Sequence, residues 1–287
     1  MFMSPIPRQH SARRVARLVR AVPAGGSNVA IKRIIGDEGL PHFDPFLNFD
    51  ELSTGQPRDV ARGFPDQPHR GFASLTYITK GRMRYSDTSG RDTVVEAGQA
   101  QWLVSGRGCV HSEMPELVDG AVQGFQLWLN LPASEKMQTP AYELITASDI
   151  PAVIFQDAEI RVLAGRYHGL LGPVTAAATE PFITEIILKS DGEITLPIAE
   201  DHAGFVYVFE GGVAIGQTLI ARGQAGFLTT DAESGNVLNL VAGQAGARLL
   251  VVTARPLNEP IVRHGPFVMT SHQDIKQAFI DYQNGLF

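Results

Sequence analysis

Cysteine is nearly missing from this 287-residue chain, Cys109 being the only one. An intrachain disulfide is therefore excluded, and the composition suits a reducing compartment. Long apolar runs are missing as well. No stretch approaches the roughly 20 consecutive apolar residues of a bilayer span, so no membrane partner is expected. The first residues carry arginines but no continuous apolar core ahead of a small-residue cleavage site, which argues against a secretory signal and for a cytoplasmic address. No Ser-His-Asp pattern and no Gly-rich phosphate loop occurs in recognisable context.

Acidic residues are absent from one segment. Between Met1 and Gly36 there are seven basic residues (Arg8, Arg13, Arg14, Arg17, Arg20, Lys32, Arg33) and no Asp or Glu, whereas the remainder carries 17 basic against 30 acidic residues. Such an acidic body lacks the electrostatic footprint of a nucleic-acid binder, so no direct nucleic-acid partner is expected. A basic arm could still bind an anionic surface. Valines and leucines punctuate the arginines in "ARRVARLVRAV", however, as packing requires, and the preferred reading is a basic strand lying on its own acidic body.

The chain is otherwise that of a soluble globular protein, with 44% hydrophobic and 19% charged residues and enough length for two domains with sizeable cores. Gly and Pro regularly interrupt short β-branched and aromatic runs, the signature of an all-β architecture. "SLTYITKGRMRY" reads as strand, turn and strand, "SDTSGRD" as the next hairpin loop, and "FVYVFEGGVAIG" repeats the strand-turn-strand reading in the second half. One helix is expected near the C-terminus, in "SHQDIKQAFIDYQNGLF". Ser271 caps it, Asp274 follows three residues on, Ile275, Phe279 and Tyr282 recur at helical spacing, and Asn284-Gly285 stops it.

An internal echo gives the domain organisation. His69-Arg70-Gly71-Phe72 matches His202-Ala203-Gly204-Phe205, and "GQAQWL" from Gly98 matches "GQAGFL" from Gly223. One strand-rich unit thus occurs twice, predicting two β-sandwich or small-barrel domains, 1–135 and 136–287, the second ending in the helix. The echo also separates them chemically. The first unit continues into "CVHSEMPE", with His111 and Glu113, while the corresponding stretch of the second supplies no histidine, which leaves His202 a structural residue.

Residues two apart on a strand share a face, so His111 points with Glu113, and Gln67 with His69. If the two segments are neighbouring strands, two imidazoles and a carboxylate converge with open positions beside them, the arrangement of non-haem Fe(II) oxygen chemistry. Cys109 shares the face of His111; it either lines the site or serves as a small hydrophobe. His168, His264 and His272 show no ligand spacing, His42 beside "FDPF" is expected to pack or turn near the barrel mouth, and Trp102 and Trp128 are expected to pack.

Several segments together resemble the pirins, two-domain members of the cupin superfamily. They are "FDPFLNFDEL" from Phe43, "GFPDQPHRGFASLTY" from Gly63, "GRGCVHSEMP" from Gly106, "GFQLWLNLP" from Gly124 and "EPIVRHGPFVMT" through to "DYQNG". The resemblance implies a bicupin: two stacked antiparallel jelly-roll barrels with a divalent ion, Fe(II) foremost and Mn, Co, Ni or Zn as alternatives, only in the N-terminal one. Some family members open the central ring of flavonols such as quercetin with O₂, which implies a flavonol-like substrate and a dioxygenase. Others are regulators that bind transcription factors or metabolic enzymes, which implies a protein partner instead. The family motif His-Pro-His-Arg-Gly-Phe-Glu stands here as Gln67-Pro68-His69-Arg70-Gly71-Phe72-Ala73. Carried across, the ligands are His69, His111 and Glu113, and Glu113 doubles as the acceptor of a substrate proton. Gln67 is either a neutral oxygen donor to the ion or a hydrogen-bond partner of ion-bound water. Loss of one imidazole, and of a glutamate at position 73, predicts a weakened metal site.

Overall fold

The structure is a computed structural model that describes residues 12–24, 29–61, 63–176, 178–230 and 235–287; Arg8 of the basic segment lies outside the described residues. The chain is all-β with one C-terminal helix, and it forms two compact units. The first unit comprises Ala21–Pro151, Leu171–Glu180 and Pro256–Phe287. The second comprises the described part of Met1–Arg20 together with Ala152–Leu170 and Pro181–Arg255. These units do not follow a cut after residue 135. Residues 136–151 and 256–287, helix included, pack with the first unit, and the N-terminal strand packs with the second.

Each unit is built on an antiparallel path of seven strands. In the first its order is Ala141–Ile145, Ala100–Val104, Phe72–Lys80, Val122–Asn130, Phe46–Thr54, Ile31–Ile35 and Val22–Pro23. In the second it is Val15–Arg20, Gln224–Leu228, Ala203–Ile215, Val237–Ala254, Phe182–Leu188, Ala158–Ala164 and Ala152–Ile154. The sequence echo falls on equivalent strand pairs: Leu75 opposes Trp102 in one unit, and Phe205 opposes Phe227 in the other.

The echoed glycine has a steric reason. Gly71 has φ +89°, and a Cβ there would land on the carbonyl oxygen of Val268, so the close approach of two backbones admits no side chain. The arginine ahead of it has a different task. Arg70 is buried, donates from Nε to the Arg107 carbonyl (2.5 Å), pairs with Asp281 of the helix and stacks over Phe287. Among the described residues the second unit carries no such helix, and Ala203 stands at the matching position.

A second, four-stranded sheet completes the first unit, in the order Phe64–His69, Cys109–Glu116, Arg82–Asp87 and Asp92–Glu96. Met83 and Val95 of this sheet meet Ile31, Leu52, Ile78 and Val122 of the larger one in a single apolar core. Burying each such side chain contributes about 1.5–3 kcal/mol, and the alternation along every strand sets which residues do so.

The expected helix spans His272–Gln283, with the Ser271 hydroxyl accepting from the Asp274 amide. Ile275 and Ala278 form its buried face and Phe279 packs partly against the same cluster, whereas Tyr282 is exposed. The strand-turn-strand reading of "FVYVFEGGVAIG" is corrected: Ala203–Ile215 is one continuous strand, and its Gly211 (φ +69°) lies within a bulged register rather than a turn. The basic segment forms an edge strand that is paired but largely exposed, Leu18 included. Val15–Arg20 pairs with Gln224–Leu228, and the buried Arg13 guanidinium donates to the carbonyls of Gly235, His202, Thr229, Ala199 and Glu200.

Candidate metal centre

Pairing within the four-stranded sheet brings the two quoted segments together. His111 lies directly across from Gln67, and Cys109 from His69. On the other side of the same strand, His111 opposes Asp87 and Glu113 opposes Tyr85. His69, His111 and Glu113 are all buried, while Gln67 is half-buried. The imidazole centres of His69 and His111 stand 4.8 Å apart.

Burial holds both rings in the neutral form. It pushes His69 well below the ordinary histidine range, with the neighbouring His111 adding to the effect. It lowers His111 to about 4, against a smaller opposing pull from Asp87. The His69 ring donates to the Pro266 carbonyl, while its Nδ1 has no partner. Among the described residues neither nitrogen of His111 has one. Orphaned buried polar groups cost roughly 1–3 kcal/mol each, so a partner for the bare lone pair that each ring offers would stabilise the arrangement, leaving the His111 N–H as the one orphaned donor. His69, which donates one N–H to a backbone carbonyl and leaves the other nitrogen bare, is in the usual state of a metal-binding histidine, and His111 adds a second bare nitrogen without that anchor. By donor chemistry the pair fits a divalent cation.

Glu113 is engaged differently. Its Oε1 accepts from Gln101 Nε2 (2.5 Å) and from the Thr76 hydroxyl (3.4 Å), and its Oε2 accepts from Gln126 Nε2 (2.8 Å). Burial raises its pKa to about 7 despite those three neutral donors. Among the described residues no group of three or more His, Cys, Asp and Glu side chains is gathered as a metal cluster. The two imidazoles are thus brought together, and the carboxylate is held by glutamines.

A cavity of about 400 Å³ is lined among others by Tyr85, Arg91, Arg107, Cys109, Tyr142 and Phe287; Tyr85 stands 5.3 Å from the His111 ring, and none of Gln67, His69, His111 and Glu113 lines it. The Cys109 thiol is pushed up to about 12 by burial and by Asp87, so it lines this space as a protonated, unreactive group. In the second unit His202 is buried and its Nδ1 meets the Thr253 hydroxyl at 3.1 Å, the structural role expected of it.

Family models match most of the chain, that of pirin over residues 28–129 and that of the pirin C-terminal cupin domain over residues 183–287. The chain belongs to the pirin family. It is 38% identical over 266 residues to a Pseudomonas aeruginosa protein named "Putative quercetin 2,3-dioxygenase", covering 91% of this chain and 93% of that one. A pirin-like protein of Caulobacter vibrioides is 36% identical over 283 residues, covering 96% and 99%. Among solved structures, a quercetin 2,3-dioxygenase from Acinetobacter baumannii matches with a TM-score of 0.84 at 26% identity, covering 96% of this chain and 99% of that one. The two expected cupin domains are therefore present.

Ala73, which replaces a glutamate of the pirin motif, is fully buried between Leu129 and Val104. Sequence reasoning missed the residues that hold Glu113. Thr76, Gln101 and Gln126 come from three strands of the larger sheet, and nothing in their spacing connects them with the His111 strand. It also missed Tyr142, whose strand lies beyond the expected domain boundary. The one available signal was polarity: Gln101 is the single polar residue of the strand Ala100–Val104.

Proposed function

We propose that His69 and His111 hold a divalent cation, Fe(II) foremost, with Gln67 and Glu113 as oxygen donors, and that the protein is a dioxygenase acting on a flavonol-like aromatic. One observation carries this reading: three of the four imidazole nitrogens of a buried, neutral histidine pair have no partner. The naming of the Pseudomonas and Acinetobacter relatives as quercetin 2,3-dioxygenases supports the choice of substrate. A neutral glutamine oxygen where the family has an imidazole makes this a weak site for a borderline metal.

The cation, when bound, would supply Lewis-acid polarisation of a ring hydroxyl and a template for the reactants. The chain supplies the rest. Tyr142 and Phe287 offer aromatic walls to a flat polyphenol, while Arg91 and Arg107 bring positive charge to the cavity that receives it. Asp87 holds Arg91 at 2.7 Å and accepts the Tyr85 hydroxyl at 3.0 Å, which fixes one wall. Glu113, once released from the ion, is the acceptor for a phenol proton, burial having raised its pKa to about 7.

A second reading, a binding protein without catalysis, is favoured by the glutamine-held state of Glu113 and by the lack of a cluster of three ionisable ligands among the described residues. The partner would then be a protein and the ion, if held, a structural one. Loading the protein anaerobically with Fe(II), Mn(II), Co(II) or Ni(II) and adding quercetin and O₂ separates the two. The dioxygenase reading expects oxygen uptake together with loss of flavonol absorbance. No turnover with any of these ions, while Gln67→His confers it, would leave the binding-protein reading standing.

A further inference from the structure

The two glutamines that hold Glu113 are themselves held, each from behind and each by an aromatic donor. The Tyr142 hydroxyl donates to Gln101 Oε1 at 3.3 Å. The Trp128 indole Nε1 donates to Gln126 Oε1 at 3.1 Å. Both amides therefore turn their NH₂ groups to the carboxylate, and rotating either would set a carbonyl oxygen against it. Tyr142 is in turn tied to the Thr93 hydroxyl at 2.7 Å, so a directed chain runs from Thr93 through Tyr142 and Gln101 to Glu113. Successive bonds of one sense in a buried setting reinforce each other.

The clamp also limits what Glu113 can offer. A carboxylate has about four lone-pair sites. Gln101 and Thr76 occupy those of Oε1, and Gln126 occupies one on Oε2, leaving a single site on Oε2. We propose that Tyr142 and Trp128 are positioning residues which, acting through the amides of Gln101 and Gln126, restrict Glu113 to a single oxygen contact with a divalent cation. This rests on the metal-centre reading above. It adds that the contact is one-sided, and that its geometry is set from the cavity, whose wall includes Tyr142. From the other side, Trp128 stands 5.2 Å from the His69 ring and 4.9 Å under the Arg263 guanidinium, so that clamp shares a support with the first imidazole.

Co(II) binding to the full-length protein tests the proposal, with affinity from competition against a chelating dye and coordination from the visible absorption spectrum. Tyr142→Phe keeps the ring against Tyr85 and removes only the hydroxyl. Partners of this kind typically contribute 10–100-fold to metal affinity, so a loss of about tenfold with an altered spectrum is expected. Gln101→Met should do the same, and the double variant should lose no more than Gln101→Met alone, because the tyrosine acts through the glutamine. Gln126→Met repeats the comparison on the other oxygen and replaces it if Gln101→Met does not fold. Wild-type affinity and spectrum in Tyr142→Phe, or losses that multiply in the double variant, overturn the clamp while leaving the metal centre in place. A wild-type protein that binds no Co(II) overturns the metal centre and the clamp with it.

Discussion

Arg70 and Asp281, 211 residues apart in sequence, form an ion pair of 2.7 Å that is largely shielded from solvent. The same guanidinium bonds the loop at Arg107 and stacks on Phe287, so one side chain from the histidine motif docks the C-terminal helix. Removing Asp281 takes an ion-pair partner from the buried Arg70 guanidinium, while the Arg107 carbonyl still accepts from it. Asp281→Asn is expected to speed hydrogen exchange across His272–Gln283 while leaving the second unit unchanged. Unaltered exchange in the helix would mean that apolar packing of Ile275 and Ala278 suffices.

Arg13 plays the corresponding structural part in the second unit, where its guanidinium donates to five backbone carbonyls. No other side chain carries enough donors in one plane to reach them all. Arg13→Met would strand those acceptors, and a loss of about 3 kcal/mol is expected in urea unfolding followed through that unit. Arg13→Lys should recover only part of it. Wild-type stability in Arg13→Met would contradict the assignment.

Lys136 gives a pH signature away from the metal centre. Its buried ammonium donates to the Gly71 carbonyl (2.7 Å), Asn130 Oδ1 (2.6 Å) and the Val268 carbonyl (3.1 Å), and burial lowers its pKa to about 8. Below pH 8 the folded and unfolded states both hold the proton. From there to the ordinary lysine value the unfolded state alone retains it, so stability rises with pH. Relative to Lys136→Met, the wild type should gain about 3 kcal/mol between pH 8 and 10.5 and nothing below. Parallel stability curves would show that the three acceptors hold the charge as well as water does.

Restoring the missing imidazole should strengthen the centre, because Gln67 sits directly across from His111 and is half-buried. An imidazole in place of an amide oxygen suits Fe(II), Co(II) and Ni(II) better. Gln67→His is expected to tighten Co(II) binding by at least about tenfold, roughly 1.4 kcal/mol, by the same dye competition. Unchanged affinity would place residue 67 outside the coordination sphere.

Much of this was legible in the sequence, for reasons of range. Strand alternation and the echoed glycine-phenylalanine step gave the all-β character and the duplication, because both follow from local sterics. Ser271 and Asn284-Gly285 marked the helix by capping chemistry. Period-two geometry put His111 with Glu113 and Gln67 with His69 on shared faces, and the pirin resemblance suggested that the two segments meet. Period two tells which face a residue takes and not which strand lies beside it, so the glutamine clamp on Glu113 stayed hidden. Tyr142, Lys136 and Asp281 lie after residue 135 yet complete the first unit, and Arg13 lies before it yet completes the second. Docking of terminal segments is decided by buried arginine and lysine contacts that no local pattern announces.

The most direct test is an anomalous-scattering map of crystals grown with Co(II) or Fe(II). A single cation bonded to nitrogens of both His69 and His111 is expected, with one Glu113 oxygen in contact and none in the His69→Ala variant. A map with no peak between those imidazoles, or with the ion bound elsewhere, would contradict the metal centre on which the proposed chemistry depends.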